Sequence, residues 1–185
     1  MPILKEEPSI HPETLLEDGF LLPSERKWWV LYTKARQEKA VSRDLLSWNI
    51  PFYLPLVRKQ SASRGRRTTS YVPLFSGYVF IYGSESERTR SLKTNRVSRV
   101  IEVDDPDLLV HDLRQFRRLI ATDAPLTVES RLTPGNRVRV RHGSFAGLEG
   151  TVLTRRGETR LLVCVNFLQQ GASVEIDDYL LEPID

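Results

Sequence analysis

Apolar residues occupy almost every position from Val72 to Tyr82, too dense for a surface helix and of strand length once Pro73 and Gly77 are allowed for. Residues two apart on a strand share a face, so Tyr78, Phe80 and Tyr82 project together while Val79 and Ile81 point the other way. One face packs a core, and the other is covered by something else. A second run of aromatic and β-branched residues, Lys27 to Lys34, predicts another strand, at 28–33. In the following segment Ala40, Val41, Asp44, Leu45 and Trp48 follow helical spacing, with Arg36, Lys39 and Arg43 on the opposite side, which predicts a helix over 35–48. The pattern continues with a strand at 52–58, a basic loop, a strand at 73–82, a helix at about 84–93, a strand at 98–103 and a helix over 107–121. That last helix sets Leu109, Leu113, Phe116 and Ile120 on one face.

Residues 122–131 carry no period and contain Asp123, Pro125, Glu129 and Ser130, as a linker does. Five short strands follow, at 136–142, 148–154, 159–167, 172–177 and near Leu180, separated by glycine-containing turns. They predict a small all-β barrel with Val138, Val140, Val152, Leu161, Val163, Val165, Val174 and Ile176 inside. Alternation is strict from Arg137 to Arg141, and Gly143, Gly147, Gly150 and Gly157 would each cost about 1 kcal/mol inside a helix, so strands are favoured over a helical state. At the other end, the first 26 residues mix Pro2, Pro8, Pro12 and Pro23 with carboxylates and read as a flexible acidic tail, in which Leu15, Leu16, Phe20, Leu21 and Leu22 are available to dock. The expected organisation is a tail (1–26), an α+β domain with an antiparallel sheet flanked by helices (27–122), a linker (123–131) and the all-β domain (132–185).

Charge changes the picture more than composition does. With 40% apolar and 28% charged residues, no apolar run of bilayer length and no signal-peptide core, the expectation is a cytoplasmic protein with no membrane contact. The net charge of +3 conceals unequal blocks: six carboxylates and one Lys in residues 1–25, but sixteen Lys and Arg against four carboxylates in residues 26–99. Such a cluster favours a polyanion through counterion release. The basic loop from Arg58 to Thr69 places Arg64, Arg66 and Arg67 at a hairpin tip, where guanidinium groups make phosphate contacts, and Lys34, Arg36 and Arg43 extend the basic surface. Contacts of this type position a protein on nucleic acid without reading its sequence.

Catalytic chemistry finds no support. His11, His111 and His142 fall in the tail, on a helix and at a turn, without metal-site spacing, and neither a Walker loop nor a dinucleotide fingerprint occurs. The single cysteine, Cys164, lies in a strand pattern and reads as a buried structural thiol, so no disulfide framework exists. No enzyme, cofactor or metal is expected.

Three segments in this order, the Trp-Trp-Val-Leu-Tyr strand at 28–32, the Pro-Leu-Phe-Ser-Gly-Tyr-Val-Phe run at 73–80 and the Gly-Ser-Phe-Ala-Gly-Leu-Glu-Gly turn at 143–150, resemble the NusG family of transcription elongation factors. The resemblance covers about residues 27 to 184 and implies that family's N-terminal (NGN-like) domain followed by a KOW barrel of SH3-like form. It implies an elongation and antitermination factor that grips RNA polymerase through Tyr32, Phe75, Tyr78 and Phe80 and favours processive transcription. It further implies contact with DNA of the elongation complex through the basic residues, and recruitment of a small-subunit ribosomal protein or Rho by the KOW domain through Phe145 and Leu168, by a monomeric protein. Trp28 reads as core, and Trp29 stands between core and contact. The family's Pro is replaced by Ser76, which frees a backbone N–H and relaxes the turn holding Phe75. The compact segment Tyr32 to Lys39 is similar to that of specialised paralogues related to RfaH. The alternative is a ribosome-associated or RNA-binding KOW protein. Against it, residues 125–185 hold seven Arg and eight carboxylates, where a barrel bound to ribosomal RNA should be strongly basic.

Overall fold

The computed structural model describes residues 7–20, 25–63, 66–129, 135–177 and 180–184. Contacts divide the chain into two units, residues 1–106 and 107–185. The first unit runs β1 (Ile10–His11), β2 (Lys27–Thr33), α1 (Glu38–Ser47), β3 (Phe52–Tyr53), β4 (Leu56–Ser63), β5 (Arg66–Pro73), β6 (Tyr78–Gly83), α2 (Glu85–Leu92) and β7 (Val97–Glu102). Five strands form an antiparallel sheet in the order β1-β3-β6-β2-β7. The period-two pattern of β2 and β6 decides which side chains face α1: Trp29, Leu31, Val79 and Ile81 join Val41 and Leu45 of that helix and Ile50, Phe52 and Leu54 in one core. On the opposite face Val30 pairs with Phe80 and Trp28 with Tyr82, and Trp28, Val30 and Phe80 are buried as well. A capping box at Ser84 and Glu87 starts α2.

Proline and glycine divide what the sequence suggests are two long strands. Pro55 ends the part of 52–58 that belongs to the sheet, and the turn at Phe75–Gly77 delays β6 until Tyr78. Between them β4 and β5 pair with each other over eight positions, from Leu56↔Pro73 to Ser63↔Arg66, so the basic loop is a two-stranded ribbon. The Leu74 N–H donates to Pro55 O at 2.8 Å and closes its base. Helix α1 starts at Glu38, because Arg36 adopts φ +60 and the Lys34–Gln37 turn precedes the helix.

The N-terminal segment also differs from the expectation of a flexible tail. Strand β1 adds to β3, the Leu54 N–H donates to Ser9 O at 2.6 Å, and Ile10, Leu15 and Leu16 are buried. Apolar residues at these positions supply the burial that the prolines and carboxylates conceal in a composition count. Leu21 and Leu22 lie outside the described residues.

The second unit contains α3 (Pro106–Ala121), β8 (Thr127–Glu129), β9 (Arg137–Val140), β10 (Glu149–Arg155), β11 (Glu158–Val165) and, after a 3-10 turn at Asn166–Leu168, β12 (Gln170–Glu175) and β13 (Leu181–Pro183). The strands form one antiparallel sheet in the order β13-β9-β10-β11-β12-β8. The strands alone make the expected all-β sheet, with helix α3 beside them in the same unit, and among the described residues no pairing joins β13 to β8 to close it into a barrel. Strand β8 pairs with β12 inside the stretch read as a linker, and its three residues are too few to announce themselves by alternation. Val138, Val140, Leu161, Val163, Val165, Val174 and Ile176 are buried as expected, whereas Val152 is half-buried. Helix α3 adds polar contacts with this sheet. Asp112 Oδ2 accepts from the Asn166 backbone N–H at 2.9 Å and from its Nδ2 at 3.1 Å, and Arg118 donates to Ala146 O and Gly147 O.

Candidate functional site

Two surfaces of the first unit carry the candidate chemistry. The first is aromatic. Tyr32 of β2 and Tyr78 of β6 are register partners, and their rings lie 5.3 Å apart at 55°. Tyr32 is 36% exposed, which makes it one of the few large side chains of the sheet to reach solvent. Arg99, its register partner on β7, sets its guanidinium carbon 5.1 Å from the Tyr32 ring, so a cation rests on the aromatic face.

The turn before β6 explains why Tyr78 stands where it does. Gly77 has φ +86, and a Cβ there would come within 3.2 Å of the Tyr32 ring. Glycine therefore serves both the left-handed backbone and the close approach of the ring. The Gly77 N–H donates to the buried carboxylate of Glu38 at 2.6 Å, and the Thr33 N–H donates to Gly77 O at 2.8 Å. Helix α1 and strand β2 together fix the turn. Ser76 is exposed beside it.

Phe75 and Phe80 are placed differently from the tyrosines: they are 1% and 0% exposed and pack in the interior. Of the four aromatic residues implied as contacts, Tyr32 and Tyr78 come together at the surface, with Phe75 and Phe80 behind the surface layer. Trp28 and Trp29 are both buried, and Trp29 donates from Nε1 to Gly83 O at 3.1 Å. Arg99 and Glu38 escape a reading of the sequence. A cation over a ring depends on cross-strand register, and a buried carboxylate in a first helical turn looks like an ordinary capping residue.

The second surface is basic. Residues 45–84 contain no Asp or Glu, and within them the ribbon exposes Arg58, Lys59 and Arg67. Arg66 opens β5, and Arg64 lies outside the described residues. Arg36 is exposed in its left-handed turn, while Lys34 Nζ donates to Asn95 Oδ1 at 2.8 Å. Arg43 is exposed on α1 and pairs with Glu7 at 3.0 Å.

In the second unit Phe145 and Leu168 are both half-buried, one in the turn between Gly143 and Gly147 and the other ending the 3-10 turn. Nearby, burial pushes the Cys164 thiol up to about 11, with the Asp112 carboxylate adding to the effect. Since the ordinary value is 9.0, its thiolate fraction at pH 8 is about a hundredfold lower than that of an unperturbed thiol. Alkylation of the native protein by iodoacetamide at pH 8 should be slower than that of the denatured chain by about the same factor. Equal rates would contradict this environment. The linkage has the matching sign: the unfolded thiol ionises first, so stability falls as pH rises above about 9.

Among the described residues no cluster of His, Cys, Asp and Glu has the arrangement of a metal site, and no helix is long and apolar enough to cross a membrane. The chain is similar to one in the crystal structure titled "MjSpt4:Spt5 complex conformation B", with 13% identity, 86% of this chain and 97% of that chain covered, and a TM-score of 0.30. That likeness is too slight to carry an argument. The family described as "Transcription termination factor nusG" matches residues 26–117, a span that includes β2, α1, the ribbon, β6, α2 and β7. Through those residues the chain belongs to the NusG family of transcription factors.

Proposed function

We propose that this protein is a transcription elongation and antitermination factor that binds RNA polymerase through the surface formed by Tyr32 and Tyr78. The observation that carries the proposal is the tyrosine pair, Tyr32 exposed and Tyr78 half-buried, with Arg99 over one ring and the Gly77 turn pinned by Glu38. Aromatic anchors on a rigid sheet bury much area on binding at small entropic cost, and each phenol retains a polar tip. Phe75 and Phe80 act from behind, by fixing the sheet. No bond is made or broken. Preferential binding to the active form of the polymerase shifts it away from paused states, which favours processive elongation in the cytoplasm. A pull-down of core RNA polymerase by the full chain and by a Tyr32, Tyr78 variant tests this reading.

The ribbon is assigned to DNA of the elongation complex. Its exposed cations are joined by Ser61, Thr68 and Ser70 and by no aromatic residue from 57 to 70, a composition suited to phosphate rather than to base stacking. Lys59→Ala with Arg67→Ala should lower the slope of log affinity for DNA against log salt by about 1.8, at about 0.9 per phosphate contact. It should do so equally for unrelated sequences. An unchanged slope, read by fluorescence anisotropy, would remove the ribbon from the DNA surface.

The sheet of the second unit is read as a KOW module for a protein partner, a small-subunit ribosomal protein or Rho, with Phe145 and Leu168 as contacts. Its arginines favour this over ribosomal RNA. Arg139 pairs with Glu149 at 2.6 Å and Arg155 with Glu129 at 3.2 Å, so guanidinium groups that would meet phosphates are engaged within the sheet.

A further inference from the structure

The family match begins at residue 26, so the folded segment ahead of it has no part in the reading above. Residues 7–20 contain Glu7, Glu13, Glu17 and Asp18 with no Lys or Arg. Strand β1 fixes the segment to the sheet edge, His11 Nε2 lies 2.8 Å from Asn49 Oδ1 just beyond α1, and the Phe20 ring meets Tyr82 edge-on at 6.3 Å. Held in this way, the segment brings the Glu7 carboxylate to Arg43, with Oε1 accepting from Nη1 at 3.0 Å.

Two features separate this contact from ordinary structural pairing. Arg43 keeps 60% of its side chain exposed, so the cation is accessible to a competitor while it is paired. Glu7 Oε2 is buried and has no hydrogen-bond partner, a cost that a purely structural carboxylate would avoid. The β1–β3 pairing, the His11–Asn49 hydrogen bond and the burial of Ile10, Leu15 and Leu16 do not involve Glu7, so they hold the strap in place when the ion pair breaks.

We propose that the N-terminal strap is a built-in competitor for nucleic-acid phosphate: Glu7 occupies Arg43 in the free protein and gives it up when DNA phosphate arrives. This rests on the assignment of the basic surface to DNA and adds its regulation. The strap lowers affinity for any exposed duplex and leaves binding dependent on a second attachment, such as a polymerase. An exposed ion pair is weak, so the device sets a threshold and does not act as a block.

A double-mutant cycle on the full chain tests it, with a short random-sequence DNA duplex as probe and anisotropy read over a range of KCl concentrations. Glu7→Gln should tighten binding about two- to fivefold at low salt and steepen the salt slope by about 0.9, as Arg43 gains a phosphate. In an Arg43→Ala background the same substitution should leave the slope unchanged and lose most of the gain. Equal gains in both backgrounds would show a net-charge effect only and overturn the proposal, as would Glu7→Gln without effect on binding. Thermal melting separates out a purely structural strap, for which Glu7→Gln would lower Tm and leave the slope alone. Failure of every variant to bind duplex would overturn the DNA assignment itself, and the strap's role with it.

Discussion

Replacing Tyr32 and Tyr78 together by Ala should reduce affinity for core RNA polymerase by at least about tenfold and leave the domain folded. The magnitude follows from the behaviour of central aromatic anchors, whose truncation costs about 2 kcal/mol or more when they fill a partner's pocket. Both rings sit at the rim of the sheet, and the backbone beneath them is held by β2–β6 pairing and by Glu38 on the Gly77 N–H, neither of which needs the phenols. Circular dichroism and denaturant midpoint should therefore match the parent chain. Arg99 loses its aromatic platform in the variant, which contributes to the effect at the surface and not to stability. A folded double variant that binds polymerase normally would eliminate this surface.

Phe80→Ala is expected to act on the other side of that division. Its ring is wholly buried opposite Val30, and removing a buried Phe costs roughly 3–5 kcal/mol. Against a typical domain stability of about 5–15 kcal/mol, that is a large fraction, so the variant should show a greatly lowered urea midpoint or fail to fold. Any loss of polymerase binding should track the loss of folded protein. If Phe80→Ala kept its midpoint within about 1 kcal/mol and still lost binding, the residue would be a contact and the interior assignment would be wrong.

The contrast between Tyr78 and Phe80 shows how far the sequence could be read. Alternation placed both on one face of β6, correctly, because a strand's period of two is local. Which member of that face meets solvent depends on what lies over it, and no local pattern carries that information. The same limit applies elsewhere. Strands β2, β6, β7, β9 and β11 and helices α1, α2 and α3 were legible from periodicity, since each is long enough to repeat its pattern. The ribbon was hidden because basic and hydroxyl residues on both faces give no apolar alternation, and its pairing is a matter of register. Strand β1 has two residues and β8 three, and each exists only through the neighbour it pairs with. At the candidate site the two tyrosines and the basic residues were visible as residue types. Glu38 beneath Gly77, Arg99 over Tyr32 and Glu7 on Arg43 were not, because each contact joins residues from separate elements.

The central claim is that the Tyr32–Tyr78 surface meets RNA polymerase, and site-specific photocrosslinking tests it most directly. A benzophenone amino acid placed at Tyr78 in the full chain, and a second one at the exposed Thr69 of the ribbon, would be irradiated in reconstituted elongation complexes. Crosslinked peptides would then be mapped by mass spectrometry. The account predicts that position 78 crosslinks to a large polymerase subunit and position 69 to DNA, with the position 78 crosslink suppressed by excess parent chain. Position 78 crosslinking only to DNA, or failing to crosslink to polymerase in complexes that demonstrably contain the protein, would contradict it.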